Sequence, residues 1–394
     1  MELTTCGTVT MTRLRHLVGV LMALSMSPAH GYAQQGDWRT SYAAAQAALE
    51  AEDHETYARE MAAAVSAMPE DHLNRPFAQY HAARAFALLG EVEQSARFLD
   101  MAWEEDIEKL MISFADFDAA FDGVREHRSY HEVMGRAARM EMSVTRLAGG
   151  VHLLEGAGSN VLASVGDDGV LLVDTGYRAA LPALRGALTT LGVTRVARVI
   201  LTHPHEDHWG MAPDLGEEAE MWAHPGTTEA MAEPYTFIDG VVLDPKPREA
   251  WPDKDVTEGS FWFNGEDVTV FDVSAHTGSD LAVHFAGSGV LHMGDAYLGG
   301  NPMMFPGGAD PDGFLARLES RIAVMDEGTI VVGGHDSPVG LEELRAQIRE
   351  TRSCMNLVRR ALADGKTLED TVASAGDRFA PQWVGYFYRL FAEG

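Results

Sequence analysis

Residues 202–210 read THPHEDHWG and follow an apolar run, Val-Ile-Leu, at positions 199–201. Three histidines and two carboxylates fall within the six positions from His203 to His208. Imidazole nitrogens and carboxylate oxygens are preferred ligands of divalent metal ions. One such residue is common on any protein surface, but this density is hard to explain without a metal. The stretch therefore predicts a metal-binding loop at the end of a buried strand.

His203 and His205 flank a single residue, so in an extended or turn conformation both imidazoles can converge on one ion. Asp207 and His208 follow on the next bend, where they can face a neighbouring ion. Three further candidate ligands each stand at the end of a later apolar strand. These residues are His276, Asp295 and His335.

The order of these seven residues, His-x-His-x-Asp-His and then His, Asp and His, resembles the metallo-β-lactamase-fold hydrolase superfamily. The resemblance covers roughly residues 144–340. It implies an α/β fold, the αββα metallo-β-lactamase sandwich, with the metal site at one edge of two packed sheets.

The resemblance also divides the ligands between two ions. The first ion would be held by His203, His205 and His276, the second by Asp207, His208 and His335, and Asp295 would bridge both. Because imidazoles and carboxylates without thiolates suit zinc, two Zn²⁺ ions are expected, with iron or manganese as alternatives.

Asp174 lies in the sequence Leu-Leu-Val-Asp-Thr-Gly, at a position where members of the family carry an acid behind the metal ligands. Such an acid orients a ligand imidazole by accepting its other N–H group. The alternative is that Asp174 only caps the turn before a helix that is predicted to begin near Ala179.

Two cations a few ångströms apart can lower the pKa of a shared water from near 16 to about 7, so that a bridging hydroxide attacks the substrate. The expected catalytic residues are Asp295, which bridges the ions, and Asp207. The proton for the leaving group comes either from metal-bound water or from Asp207, and the sequence leaves both open.

The aspartate at the bridging position is typical of thioesterases, lactonases and phosphodiesterases, whereas classical zinc β-lactamases carry Cys or Ser there. We therefore expect an ester, lactone, thioester or amide substrate. A following loop is predicted to overhang the metals and form an apolar pocket. It contains Tyr297, Asn301, Met303, Met304 and Phe305.

A Pro-rich segment, residues 233–255, carries Lys246, Arg248 and Lys254. Its proline content excludes a helix or a central strand. The three cations are candidates for binding a substrate carboxylate, and simple solvation of the side chains is the alternative.

Two other functions remain open at this stage. One is an iron-dependent oxygenase or redox enzyme on the same scaffold, which would use only some of the ligands. The other is a periplasmic interaction protein whose metal site is inactive.

The segment from Trp38 to about Met142 is rich in Ala, Glu and Arg and has apolar residues at helical spacing. Its two helix pairs can be overlaid, which resembles tetratricopeptide-type repeats, although an ordinary helical bundle fits equally well. The segment is a candidate surface for a protein partner or for self-association. The overlaid positions are Ala58, Met61 and Val65 with Ala96, Leu99 and Trp103.

Strand-like patterns begin abruptly at Val144. We therefore expect a signal peptide at residues 1–33, a helical tetratricopeptide-like domain at 34–142 and the metallo-β-lactamase-fold hydrolase domain, with C-terminal helices, at 143–394.

Arg13 and Arg15 precede an apolar stretch from Leu17 to Met26, and small residues follow it, which is typical of a cleaved secretory signal. The apolar stretch is shorter than the roughly 20 residues that a membrane span needs. We expect a periplasmic or secreted protein without a membrane span after cleavage. Cys354 would then be the only cysteine, and its helical setting favours a buried thiol.

The formal net charge is −29, from 59 acidic and 30 basic residues. A polyanion would be repelled by such a chain, which excludes nucleic acid and favours a small-molecule substrate. The acidity itself is expected to serve solubility.

Overall fold

The computed structural model describes residues 38–393, apart from 71, 73–74, 106–114, 116–117, 138, 194, 217, 237–241, 244, 247 and 306–308. The predicted signal segment, residues 1–33, lies outside the described residues. The two predicted boundaries, after residues 33 and 142, stay predictions.

The N-terminal region is helical throughout its described part. Alanine-rich segments form these helices because alanine has the highest helix propensity and lets neighbouring helices approach closely. The helices are α1 Trp38–Glu50, α2 His54–Ala67, α3 Arg75–Leu88, α4 Val92–Glu105 and α5 Arg128–Ala137.

The overlaid positions of α2 and α4 face one common core. Ala58, Met61 and Val65 of α2 are buried with Ala96 and Leu99 of α4, and Trp103 packs against the same core. The helical spacing therefore predicted the buried face correctly, while membership of the tetratricopeptide family stays a prediction.

Within the part of the chain that the structure describes, fifteen strands follow between positions 143 and 340. Strands β1 to β9 are Ser143–Ala148, Val151–Ala157, Ser159–Gly166, Gly169–Val173, Val196–Ile200, Glu220–Ala223, Tyr235–Thr236, Val242–Leu243 and Lys254–Asp255. Strands β10 to β15 are Glu258–Phe263, Glu266–Asp272, Leu281–Phe285, Val290–His292, Ile330–Val332 and Val339–Gly340.

The strands form two mixed sheets and a small hairpin. The first sheet has seven strands in the order β1-β2-β3-β4-β5-β6-β9, in which β4, β5, β6 and β9 run parallel. The second sheet has six strands in the order β10-β11-β12-β13-β14-β15, with β13 and β14 parallel. Strands β7 and β8 pair only with each other among the described residues.

Alternation along the strands separates two faces of each sheet. Leu153, Leu162 and Leu171 point into the core between the sheets, where they meet Val268 and Val283 of the second sheet. The neighbouring residues on β2, β3 and β4 point to the opposite face, as a side-chain period of two requires.

Helices cover both outer faces and complete the αββα arrangement. Helix α6 packs on the first sheet, and α10, α11 and α13 pack on the second. The predicted fold class is therefore confirmed. The helices are α6 Leu181–Thr190, α7 Glu206–Trp209, α8 Ala212–Leu215, α9 Pro225–Ala232, α10 Pro311–Ile322, α11 Leu341–Ala363, α12 Leu368–Ala375 and α13 Pro381–Glu393.

The helical region packs directly against the sandwich. Met140 contacts both the helical core and the outer core of the first sheet, and Ala179 contacts the helical core from the sandwich side. The structure thus joins the two parts through apolar contacts.

The C-terminal helices pack onto the second sheet. Trp383 and Phe387 of α13 are buried against the second sheet rather than lining a site. Cys354 is buried in α11, where burial raises the pKa of its thiol to about 12. Among the residues that the structure describes, none of the helices combines the length and apolar character that crossing a membrane requires.

Candidate metal centre

The metal-binding loop continues the carboxyl end of β5. Residues 201–205 are extended or bent, and helix α7 then begins at Glu206 with His205 as its N-terminal flanking residue. This single helical turn changes the direction of the chain, so Asp207 and His208 point towards a different ion position from His203 and His205. Asp207 and His208 are both buried.

His203, His205 and His276 form the first cluster, which we name site A. The Nδ1 atom of His205 lies 3.0 Å from Nε2 of His203 and 3.1 Å from Nε2 of His276. The Oδ2 atom of Asp295 lies 3.7 Å and 3.6 Å from the same two Nε2 atoms. One ligand atom from each of these four residues lies within 4.8 Å of the others, which suits a single ion.

Asp207, His208 and His335 form the second cluster, site B. The Oδ2 atom of Asp207 lies 3.2 Å from Nε2 of His335 and 3.4 Å from Nε2 of His208. Asp295 reaches this cluster too, with Oδ1 at 3.4 Å from His208 and Oδ2 at 3.4 Å from His335. Asp295 therefore lies between the two clusters and contacts both.

Unpaired buried atoms show that the centre fits a cation. Among the described residues, Nε2 of His208 and Oδ1 of Asp295 are buried and have no hydrogen-bond partner. Leaving such groups buried and unpaired is costly, and a metal ion would satisfy both at once. Gly334 leaves the room for this, since a Cβ atom there would lie 1.9 Å from Oδ1 of Asp295.

Asp174 lies directly behind site B. Its Oδ2 is 2.7 Å from Nδ1 of His208, and its two oxygens accept from the amide and hydroxyl of Thr202 at 2.7 and 2.8 Å. The side chain thus binds Nδ1 of His208 and leaves Nε2 free for a metal. The short helical turn before α6 is flanked by Tyr177, not by Asp174.

Several supporting residues gave no recognised signal in the sequence. The hydroxyl of Ser159 donates to the carbonyl of Asp207 at 2.6 Å. Asp280 accepts from the backbone amides of His276, Thr277 and Gly278 at 3.1, 2.8 and 3.1 Å. The signal that could have revealed Asp280 is its position four residues after a predicted ligand, where an acid can close a tight turn.

Site A and site B have opposite electrostatic character. Burial lowers the pKa of His203, His205 and His276, that of His205 to about 4. Burial also acts against protonation of His208 and His335, but the surrounding carboxylates outweigh it and raise both pKa values well above the usual range.

The two carboxylates of the centre are held ionised. Burial alone would raise the pKa of Asp207 and of Asp295. The adjacent imidazoles of His208 and His335 outweigh burial, so both pKa values lie well below the ordinary carboxyl value. Both side chains are therefore anions at neutral pH.

Lys246 fits neither of the two alternatives, substrate binding or simple solvation. Lys246 is buried and forms an ion pair with Glu206, the residue between His205 and Asp207. A buried carboxylate needs a cationic partner, and Lys246 supplies it from the Pro-rich segment. Arg248 lies over the ring of Trp251 and Lys254 over that of Trp222, at 4.3 and 3.8 Å. For those two cations substrate binding stays a prediction.

The loop after Asp295 is also more buried than predicted. Tyr297, Met303 and Phe305 belong to the core beneath the C-terminal helices, and the Tyr386 hydroxyl hydrogen-bonds to the backbone of Phe305. These three side chains therefore pack into this core, which the sequence did not predict. Asn301 and Met304 are only partly buried.

Comparison with known proteins agrees with this geometry. Residues 154–335 match the family model of the Metallo-beta-lactamase superfamily. A hydroxyacylglutathione hydrolase from Fuscovulum blasticum is 30% identical over 143 residues, which are 36% of this chain and 49% of that protein. The chain thus spans about half the length of this curated relative.

Two solved structures are similar to this chain at low sequence identity. A double mutant of the sec-alkylsulfatase PisA1 from Pseudomonas sp. is 14% identical, with a TM-score of 0.50 over 66% of this chain and 51% of that chain. A metallo-beta-lactamase from Erythrobacter litoralis is 22% identical, with a TM-score of 0.42 over 54% of this chain and 97% of that chain.

The family match, the two-sheet architecture and the His/Asp clusters lead to one assignment. Residues 154–335 are a Metallo-beta-lactamase superfamily domain, and the helical region α1–α5 precedes it.

Proposed function

We propose that this protein is an exported dinuclear metallohydrolase that cleaves an ester, lactone, thioester or amide bond. The observation that carries the proposal is the pair of ligand clusters that share Asp295. A centre with two adjacent ion positions and one carboxylate between them suits attack of water on a polarised carbonyl group.

Zinc is the proposed metal, because the donor set consists of imidazoles and carboxylates. When bound, two such cations supply Lewis acidity and lower the pKa of a water molecule from near 16 to about 7. The imidazoles of site A are neutral at neutral pH and can bind a cation without first losing a proton.

Asp207 is the proposed residue for proton transfer. Its carboxylate is ionised and touches both imidazoles of site B, so it can accept a proton from the attacking water and return it to the leaving group. Asp295 holds the two halves of the centre together. Burial of both carboxylates strengthens their electrostatic effect, because the surrounding dielectric is low.

The substrate class draws support from two observations. The position between the clusters is aspartate, and the relative at 30% identity bears the name of a hydrolase of an acylated glutathione. The aspartate separates this centre from the classical zinc β-lactamases, and the name of the relative favours acyl transfer to water over phosphodiester cleavage. Because Lys246 is occupied by Glu206, a substrate carboxylate would have to be bound by another group.

The experiment is a substrate panel on zinc-loaded protein, with lactones, esters, thioesters, amides, β-lactams and phosphodiesters. We expect turnover of at least one acyl class and its loss after chelation. His276→Ala should abolish the activity, whereas His284→Ala, a half-buried histidine on β12 outside the clusters, should retain it. Turnover of phosphodiesters alone, or mononuclear iron with oxygen uptake, would refute the proposal.

Export and partners belong to the same proposal. N-terminal sequencing of the protein isolated from the periplasm or medium should find a start near residue 34. Light scattering of the full mature chain should reveal any self-association through the helical region. An uncleaved protein that stays in the cytoplasm would contradict the proposed location.

A further inference from the structure

Asn160, on strand β3 of the first sheet, binds the backbone on both sides of His335. Its side-chain Nδ2 donates to the carbonyls of Gly333 and Asp336 at 2.9 and 2.8 Å. Its backbone amide donates to the carbonyl of Gly334 at 2.6 Å. Three carbonyls that surround one metal ligand are therefore bound by one residue.

The same residue also contacts the strand that leads to Asp295. The carbonyl of Asn160 is 3.2 Å from Nε2 of His292, and Nδ1 of His292 accepts from the amide of Gly294 at 3.1 Å. Asn160 and His292 are both buried. A buried network in which each polar group is paired is rigid, and here it joins the two sheets next to the metal centre.

The orientation of the His335 ring depends on backbone contacts more than the orientation of the His208 ring does. His208 is oriented through its ring by Asp174, whereas Nδ1 of His335 is buried and lacks a hydrogen-bond partner among the described residues. Glycines precede His335 at positions 333 and 334, and glycine leaves a backbone freer than any other residue. The place of the His335 ring is therefore set mainly by what holds its backbone.

We propose that Asn160 is a positioning residue that holds His335 in reach of site B. The inference rests on the proposed dinuclear function, because the placement of His335 matters for function only if site B binds a metal. Loss of the Asn160 side chain should weaken one metal equivalent and leave the other unchanged.

The chain offers a matched control in Asn264. Its Nδ2 donates to the carbonyls of Ser164 and Gly169, both at 3.0 Å, at the opposite end of β3 from the metal centre. Asn160→Asp and Asn264→Asp each replace two N–H donors by an oxygen that faces carbonyls. Both variants therefore lose the same kind of hydrogen bond, but only one of them is next to a ligand.

Zn²⁺ titration against a chromophoric chelator measures the two equivalents. We expect Asn160→Asp to weaken one of them by about 10–100-fold, the usual effect of removing a residue that supports a metal ligand. Asn264→Asp should leave both equivalents unchanged. The direction is informative, because the new carboxylate of Asn160→Asp would by charge alone tighten cation binding.

A double-mutant cycle identifies the affected site. His335→Ala should weaken the same equivalent, and Asn160→Asp combined with His335→Ala should be no weaker than His335→Ala alone. Additive losses, equal weakening of both equivalents, or an Asn264→Asp effect of the same size would overturn the inference. If Asn160→Asp does not fold, as judged by its thermal midpoint and near-UV circular dichroism, Asn160→Ala is titrated instead.

Failure of the proposed function would give a different result. In that case the unmodified protein itself would not bind two equivalents of Zn²⁺. Two equivalents in the unmodified protein, without a selective loss in Asn160→Asp and Asn160→Ala, would reject only the role of Asn160.

Discussion

Site A and site B share one loop and one aspartate, yet they differ in charge. Site A consists of three imidazoles that burial keeps neutral, with the pKa of His205 lowered to about 4. Site B adds the carboxylate of Asp207 and has Asp174 behind it. Burial opposes protonation there too, but the carboxylates raise the pKa of both imidazoles.

The difference teaches that the same ligand types can form two sites with different proton requirements. A cation enters site A without displacing protons from its imidazoles at neutral pH. A cation that enters site B of the metal-free protein must displace protons from His208 and His335. Site B thus gains more electrostatic attraction for a cation, but its occupancy depends more strongly on pH.

Asp295→Ala should impair site A and site B alike, because this carboxylate contacts both. We expect kcat/KM to fall by at least about 10³-fold, since a metal centre supplies several kcal/mol of charge stabilisation. Metal analysis should show loss of both equivalents. Asp267→Ala, an exposed strand residue, is the control. Retention of one full-affinity equivalent would mean that Asp295 serves one site only.

Lys246→Met should destabilise the loop that carries ligands of both sites, because Glu206 lies between a ligand of site A and a ligand of site B. The substitution leaves the Glu206 carboxylate buried and unpaired, which costs about 3–5 kcal/mol. Urea denaturation measures the loss in the free energy of unfolding. Glu206→Gln combined with Lys246→Met should recover most of it, since both charges are then absent.

Lys254→Met provides the comparison for this lysine. Lys254 is exposed and lies over the ring of Trp222. Removal of an exposed cation of this kind costs about 0.5–1 kcal/mol. If Lys246→Met were no more destabilising than Lys254→Met, the buried ion pair would not anchor the Pro-rich segment to the metal loop.

Acidification should release the metal of site B before that of site A. Because the pKa values of His208 and His335 are raised, both imidazoles hold protons near neutral pH in the metal-free protein. Each displaced proton lowers the apparent affinity about tenfold per pH unit, so two protons give about 100-fold. Chelator competition at several pH values measures this slope, and equal slopes at both sites would contradict the assignment.

The free energy of unfolding of the metal-free protein should fall as the pH rises, whereas metal binding at site B should become stronger. A raised folded-state pKa contributes stability that is fully present below the unfolded histidine value of about 6.5 and is lost as the pH rises through the folded value. The metal-free protein should therefore lose stability as the solution becomes alkaline. Thermal unfolding with and without Zn²⁺ across this range separates the two trends.

The candidate ligands of the centre could be identified in the sequence because their signal is local. The stretch from His203 to His208 combines ligand density with a preceding apolar strand, and each later ligand also follows a strand. Strand β5 of the first sheet and strands β11, β13 and β14 of the second bring these side chains together at one edge of the two sheets. The two-layer fold followed from the same alternation of strands and helices.

The supporting contacts were not predictable because they join distant segments. Lys246 and Glu206 are 40 positions apart, and Asn160 is 173 positions from Gly333. Nothing in the local sequence distinguishes a lysine that will be buried from one that is solvated. For the same reason the burial of Tyr297 and Phe305 beneath the C-terminal helices escaped prediction, since it depends on helices that follow much later in the chain.

Asp174→Asn is the smallest change that tests the difference between site A and site B. Asp174 has φ of 63°, a left-handed conformation that asparagine also tolerates, so the backbone should be unaffected. The amide has one acceptor oxygen in place of two, so its Nδ2 must face either the backbone N–H of Thr202 or the Thr202 hydroxyl and Nδ1 of His208, and at least one donor loses its acceptor. We expect the site B equivalent to weaken by about 10–100-fold. Site A should change less, because Asp174 reaches His203 only through the Thr202 hydroxyl.

The mirror variant is Asp280→Asn, because Asp280 holds the backbone of His276 in site A. It should weaken the other equivalent and spare site B. Zn²⁺ titration of the two variants side by side then tests whether the sites are supported independently. If both variants weakened the same equivalent, the two clusters would act as one cooperative unit, and the difference in charge between them would not translate into separate affinities.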